Sequence, residues 1–265
     1  MNPRGSHAAG SPLAGRTIVV TRPAERSAKL VRLLQQRGAR PLVAPAIEVK
    51  PARSAALTAA LKDLAAGRFA WIVLTSPSTV AMLDERLASP ADVRADVAAI
   101  GDGTAEAFHR FAGRAPDHLA RTFTTVGLSR SFPRGAGRVL CARADIAPEG
   151  LEGALAAKGW TPTRVDAYRT VFPRALPKET RDALAAGEVD AITFTSASTV
   201  RGFIGALGPV KGSPKVVCIG PVTSKEARTH GLTVHAVARP HTTEGLVAAL
   251  ERAFTPRRRS PGSGG

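Results

Sequence analysis

Short apolar runs alternate along this chain with longer amphipathic stretches, and that alternation sets the expected architecture. Residues 15–21, 69–75, 97–100, 137–142, 191–195 and 215–219 are rich in apolar and β-branched side chains and short of polar ones. Strands buried on both faces need such runs. Between them apolar residues recur at helical spacing. Leu30, Val31 and Leu34 precede Gly38; a helix is expected over 55–67 and another from Ser76 to about Leu87. Ala107, Phe108 and Phe111 follow Thr104, which is expected to cap their helix, and Val200, Phe203, Ile204 and Leu207 precede Gly208. Residues 117–120 suit a short strand, and Thr124 opens a further helix. Residues 41–49 are extended, but Pro41 and Pro45 forbid a central strand and leave a linker or a sheet edge. The pattern predicts an α/β fold with parallel sheets covered by helices on both faces.

The pattern also repeats. Trp-Ile-Val-Leu-Thr-Ser-Pro-Ser-Thr-Val at 71–80 returns as Ala-Ile-Thr-Phe-Thr-Ser-Ala-Ser-Thr-Val at 191–200. Residues 15–22 match 137–143, Leu30, Leu34 and Gly38 match Leu151, Leu155 and Gly159, and Thr104 matches Thr223. Arg121-Thr-Phe-Thr-Thr-Val-Gly-Leu128 matches Arg239-Pro-His-Thr-Thr-Glu-Gly-Leu246. Two similar lobes are implied. In parallel sheets ligands bind beyond the carboxyl ends of the strands, where all these Gly, Ser and Thr turns fall. Ser76, Ser196, Ser198 and Thr199 suit helix N-termini, whose free N–H groups and positive dipole end attract anions. Two facing lobes would enclose a cleft of hydroxyls and amides with Arg22 or Arg143 beside them.

Charge agrees with an anionic ligand. The 265 residues carry a formal net charge of +16, so a polyanionic partner is expected, either nucleic acid or a small molecule with many carboxylates or phosphates. Aromatic residues make up only 5%, with one Tyr, which leaves little for a base-stacking surface and argues against nucleic acid. Arg4 and Arg257–Arg259 sit in Ser-, Gly- and Pro-rich ends expected to be disordered, 1–12 and 255–265. Cys141 and Cys218 lie inside apolar runs and read as buried, unreactive thiols. No 18-residue apolar run or apolar signal core appears, so a cytoplasmic protein away from membranes is expected. No histidine stands at metal-ligand spacing; no dinucleotide fingerprint, P-loop or nucleophile elbow occurs. An enzyme of this kind would work by positioning, hydrogen bonds and weak acids.

The order of motifs resembles the uroporphyrinogen-III synthase family over about residues 13–252. The matching pieces are Val-Thr-Arg-Pro at 20–23, Leu-Thr-Ser at 74–76, Ala-Ile-Gly-x-x-Thr at 99–104 and Ala-Tyr-Arg-Thr at 167–170. Phe-Thr-Ser-x-Ser-Thr-Val at 194–200, Ile-Gly-Pro-x-Thr at 219–223 and Pro-His-Thr-Thr-Glu-Gly-Leu at 240–246 complete the set. The resemblance implies a monomeric, cofactor-free lyase of haem biosynthesis. It would close hydroxymethylbilane, a linear tetrapyrrole with eight carboxylates, to uroporphyrinogen III with ring D inverted and water lost. It also implies two doubly wound lobes, one of 13–39 with 172–254 and one of 48–162, joined by a two-stranded linker of 40–47 and 163–171. Two consecutive lobes fit the sequence alone equally well.

By the same resemblance Tyr168, the single tyrosine, faces the cleft; a phenol with a reference pKa near 10 stays protonated at neutral pH and could donate to the leaving hydroxyl. Arg22, Ser76, Thr104, Arg143, Ser196, Ser198, Gly220, Thr223, Thr242 and Thr243 are the expected carboxylate binders. Arg143 sits in Ala-Arg-Ala-Asp, where the family more often has Arg followed by Gly. The competing reading is a catalytically silent relative that binds a tetrapyrrole or another polyanion.

Overall fold

The computed structural model describes residues 10–255. The ends expected to be disordered lie outside them except for residues 10–12 and Thr255, and so do Arg4 and Arg257–Arg259. In chain order the elements are β1 Thr17–Val20, α1 Ala28–Gln35, β2 Arg40–Val43, β3 Glu48–Pro51, α2 Ala55–Ala65, β4 Trp71–Leu74, α3 Pro77–Arg86, β5 Asp96–Ala99 and α4 Asp102–Ala112. Then follow β6 His118–Leu119, α5 Thr125–Ser131, β7 Arg138–Ala144, α6 Leu151–Ala156 and the long β8 Thr161–Val171. The chain closes with α7 Lys178–Ala186, β9 Ala191–Phe194, α8 Ala197–Gly205, β10 Lys215–Cys218, α9 Pro221–Thr229, β11 Val234–Val237 and α10 Thr243–Phe254.

Two compact units result. Unit 1 takes the chain up to Glu48 and again from Phe172 onward; unit 2 is Val49–Val171. The sheet of unit 1 runs β11-β10-β9-β1-β2 and that of unit 2 runs β3-β8-β7-β4-β5-β6. Every pairing registered between these strands is parallel, β3 with β8 aside. Under the sequence repeat β9 matches β4, β10 matches β5 and β1 matches β7. The two sheets therefore have the same strand order, with β3 added at the edge of unit 2. Unit 2 carries the repeat in permuted chain order, because β4 precedes β7 while β1 precedes β9.

Pairing register makes the likeness specific. Ile18 stands beside Ala191, and Val139 stands beside Trp71. Since Ala191 matches Trp71, Ile18 matches Val139, and Arg22 falls on Arg143.

Alternation along each strand divides the core into two layers. In unit 1, Val19, Ile192, Phe194, Val216 and Cys218 pack with Leu184 of α7, Phe203 of α8 and Ala227 of α9. Ile18, Val20, Ala191 and Val217 pack on the other face with Leu30 and Leu34 of α1 and Leu246 and Leu250 of α10. In unit 2, Ile72, Leu74, Val97 and Leu140 meet α2, α3 and α4, while Val73, Ala98, Val139 and Cys141 meet α5 and α6. Strands covered on both faces explain the unbroken apolar runs. Both cysteines are fully buried, and burial pushes their thiols up to about 12, out of the nucleophilic range.

The two stretches read as linkers are placed mainly in the sheets. Residues 40–43 form β2, an edge strand bonded only to β1, where the missing N–H of Pro41 is tolerated. Residues 163–171 belong to β8, which pairs with β7 through Thr163, Arg164, Val165, Asp166 and Tyr168. One glycine motif is forced by close packing. A Cβ on Gly245 would strike the carbonyl of Pro240, and one on Gly127 would strike the carbonyl of Thr122. The repeated Gly-Leu of α5 and α10 thus lets each helix start press on its own preceding loop.

Candidate functional site

In a sheet of this order the connections diverge between β1 and β9, and between β7 and β4; the crevice beyond those carboxyl ends is the expected ligand position. In unit 1 that point is locked by two buried threonines. Thr21 Oγ1 donates to the Thr193 carbonyl at 2.7 Å, and Thr193 Oγ1 donates to the Val19 carbonyl at 3.0 Å. Ser27 Oγ donates to the Pro23 carbonyl at 3.0 Å and tightens the turn after Arg22.

That turn delivers Arg22 half-buried. Its Nη1 donates to Thr243 Oγ1 at 3.1 Å, and no ion pair among the described residues involves it. Burial pushes its pKa down, and nearby Arg26 pushes it further. A guanidinium nevertheless keeps its proton. A desolvated cation with only a neutral partner favours an incoming carboxylate.

Three helices start at the carboxyl ends of the strands of this unit. Thr242 caps α10 by accepting from Gly245 N–H at 3.1 Å, and Ser196 caps α8 by accepting from Thr199 N–H at 3.2 Å while lying 2.9 Å from Ser198 Oγ. The start of α9 differs: Gly220 stands at the cap, without a side-chain acceptor and with no acid in the first turn. Its leading N–H groups are suited to an anion. His241 Nδ1 lies 2.9 Å from the Ile219 carbonyl and 2.8 Å from that of Ala238. Carbonyls only accept, so Nδ1 carries the proton and ties the Gly220 turn to the loop before α10.

Unit 2 builds the matching end differently. Ser76 caps α3, accepting from Ser78 N–H at 3.2 Å and Thr79 N–H at 3.4 Å, and its Oγ is 2.8 Å from the hydroxyl of Tyr168. Tyr168 lies on β8 beside Ala144 of β7 and is 9% exposed, its ring in the core with Leu74, Ala142 and Val165. Asp145 pins β8 at this point. Its backbone N–H donates to the Tyr168 carbonyl at 3.1 Å, and its Oδ1 accepts from Thr170 N–H at 2.9 Å. The start of α4 is again an uncapped glycine, Gly101, but Asp102 places an acid in its first turn. The start of α9 lacks such an acid, though Pro221 at its first position supplies no N–H.

Two expectations change. Thr104 and, by the repeat, Thr223 were expected as helix caps. Gly101 and Gly220 hold the cap positions instead, and both threonines are 3% exposed inside the first turn. The helices begin directly after the glycine, and at Gly101 a Cβ would press on the ring of Phe123 at 3.0 Å.

Arg143 is the larger correction. It is 1% exposed, and its Nη1 donates to both oxygens of Glu152, at 3.0 and 3.1 Å, while its buried Nε has no partner among the described residues. Its charge is answered internally by Glu152, whereas the partner of Arg22 is a neutral hydroxyl. Glu152, Asp145, Ser27, Thr21 and Thr193 were not singled out from sequence. Thr21 and Thr193 read as ordinary polar positions because their partners are distant in the chain, and Ser27, Asp145 and Glu152 because no local pattern marks them. Among the described residues, no group of three or more His, Cys, Asp or Glu could hold a metal ion.

Apart from Arg22 and its turn, the site residues fall within a region that matches a known family. The family model for "Uroporphyrinogen-III synthase HemD" matches residues 28–248. The chain is 29% identical over 260 residues to the uroporphyrinogen-III synthase of Synechococcus elongatus, covering 92% of this chain and 97% of that one. It is 31% identical to the porphyrin biosynthesis protein HemD of Ruminiclostridium josui, covering 90% of this chain and 49% of that longer protein. A crystal structure of a mutant uroporphyrinogen III synthase from Thermus thermophilus shares the fold, with TM-score 0.63, 23% identity and coverage of 91% and 99% of the two chains. With the family match running through both units, this chain belongs to the uroporphyrinogen-III synthase family.

Proposed function

We propose that this protein closes hydroxymethylbilane to uroporphyrinogen III, with loss of water and inversion of ring D, as a monomeric cytoplasmic enzyme of haem biosynthesis. The observation that carries the reading is the family match, which reaches across unit 2 and into both halves of unit 1.

In unit 1, Arg22, the N–H groups that start α9 at Gly220, and the hydroxyls of Ser196, Ser198, Thr242 and Thr243 hold substrate carboxylates. Neutral donors outnumber fixed charges there, which limits the desolvation cost of many ion pairs. In unit 2, Tyr168 donates its proton to the hydroxymethyl oxygen as the carbon–oxygen bond breaks and water leaves. The resulting cationic azafulvene is attacked by the substituted carbon of ring D. The spiro intermediate reopens and recloses inverted, and the proton finally lost from the ring restores the phenol. Simple closure competes in solution, so holding one conformer is the main catalytic contribution.

Incubation with freshly prepared hydroxymethylbilane, oxidation and isomer analysis of the porphyrin test the proposal. Excess type III is expected; type I alone in spite of binding would identify a silent relative. Tyr168→Phe should slow type III formation by about a hundredfold, the usual yield of a general acid, with little change in melting temperature. Full activity in that variant would end the proton-donor role.

A further inference from the structure

We infer that Ser76 is a positioning residue that aims the proton of Tyr168 by donating its own hydroxyl hydrogen to the phenol oxygen. The inference rests on the proposed role of Tyr168 and assigns a direction to the bond between them. A serine hydroxyl has one hydrogen and two acceptor lone pairs. At Ser76 the start of α3 turns two N–H groups toward Oγ: Ser78 N–H at 3.2 Å, and Thr79 N–H at 3.4 Å, the latter shared with the Ser76 carbonyl at 3.1 Å. The remaining capacity of Oγ is its hydrogen, and the Tyr168 oxygen lies 2.8 Å away. The distance alone fits either direction, and the cap assigns Ser76 as donor and Tyr168 as acceptor.

The consequence falls on the phenol. With Ser76 unable to accept, the Tyr168 hydrogen is turned away from α3 and kept for another acceptor. A developing negative charge on the phenol oxygen would meet a donor already in place, backed by the positive end of α3. The repeat shows that this is a local construction. Ser196, the counterpart of Ser76, accepts from Thr199 N–H and meets Ser198 Oγ rather than a phenol. Tyr168 is held from the other side by the Asp145 contacts to β8, so both the ring and the direction of its hydrogen bond are fixed by unit 2 alone.

Asparagine and aspartate separate direction from capping, because both cap helices as well as serine does. In Ser76→Asn the side-chain oxygen takes the α3 N–H groups and the amide can still donate to Tyr168. In Ser76→Asp the side chain can only accept, and it captures the phenol hydrogen. Ser76→Asp should fall about tenfold or more below Ser76→Asn in kcat, beyond any difference in KM from charge repulsion. Equal kcat values would overturn the inference.

A spectroscopic test needs no variant to be active. The protein has a single tyrosine, so the Raman Fermi doublet of tyrosine reports Tyr168 alone. The intensity ratio of the doublet is high when the phenol oxygen accepts and low when its hydrogen is donated. The unsubstituted protein should show the accepting ratio and Ser76→Asp the donating one. A donating ratio in the unsubstituted protein would overturn the inference even if Tyr168→Phe is inactive. An active Tyr168→Phe would overturn the proton-donor role whatever the ratio.

Discussion

Removing Glu152 should destabilise unit 2 far more than removing Arg143, and the asymmetry follows from where each charge sits. Arg143 is 1% exposed and bonds both oxygens of Glu152 through Nη1, whereas the Glu152 side chain is 20% exposed. At 3.0 Å and an effective dielectric constant near 20, the gross attraction is about 5 kcal/mol, most of it offset by desolvation. Glu152→Leu leaves a guanidinium in the core with no anion and an Nε already lacking a partner, which costs about 3–5 kcal/mol. For a unit the size of Val49–Val171, about 3 kcal/mol corresponds to a fall in melting temperature of roughly 10 °C.

Arg143→Met leaves Glu152 able to turn toward water and should cost only about 1–2 kcal/mol. The double variant, Arg143→Met with Glu152→Leu, should regain most of the loss, since an apolar pair of similar volume often replaces a buried ion pair without penalty. Calorimetry and urea titration of all three variants are the measurement. A Glu152→Leu protein that melts within about 2 °C of the parent would refute the energetic argument. A well-folded double variant that has lost type III formation would refute the exclusion of Arg143 from substrate binding.

Two further predictions address the site and the packing. Arg22→Gln should raise KM roughly 10- to 100-fold, the worth of a charge-assisted hydrogen bond, with kcat changed far less; steady-state kinetics decide, and an unchanged KM would remove Arg22 from carboxylate binding. Gly245→Ala should destabilise by about 1–3 kcal/mol because its Cβ meets the Pro240 carbonyl, whereas Gly153→Ala, with open space at the same atom, should stabilise by about 0.5–1 kcal/mol; thermal melts of the pair decide.

The sequence carried the layers better than the site. Runs such as Ile18 to Val20 and Val216 to Cys218 are apolar on both sides because both faces of the sheet are covered, so period and length sufficed to find them. The repeat fixed which strands correspond. It could not say which half of the chain β1 joins, because partner choice between repeats depends on contacts 172 residues apart, such as that of Thr21 with the Thr193 carbonyl. Glycine and threonine both favour helix starts, so Gly-x-x-Thr left the cap ambiguous and Thr104 was taken for Gly101. Arg22 and Arg143 match in register yet differ in availability, and the difference lies in Glu152, whose match in the first repeat is Val31. The Ser76–Tyr168 contact spans 92 residues, beyond any local pattern.

The insertion of the unit 2 sequence between the two segments of unit 1 bears on how the chain is made. Once β1, α1 and β2 have left the ribosome, they can form a strand–helix–strand element, but the β9 edge of β1 stays open until residues 191–194 are synthesised. The wait spans the 172 residues between Thr21 and Thr193, roughly ten to thirty seconds at bacterial rates of translation. During that time the apolar edge of Ile18, Val19 and Val20 is a candidate for chaperone capture or mispairing, while unit 2 can complete its own sheet behind it. Slower translation between codons 49 and 171 would lengthen the exposure of that edge without altering a single residue of the product.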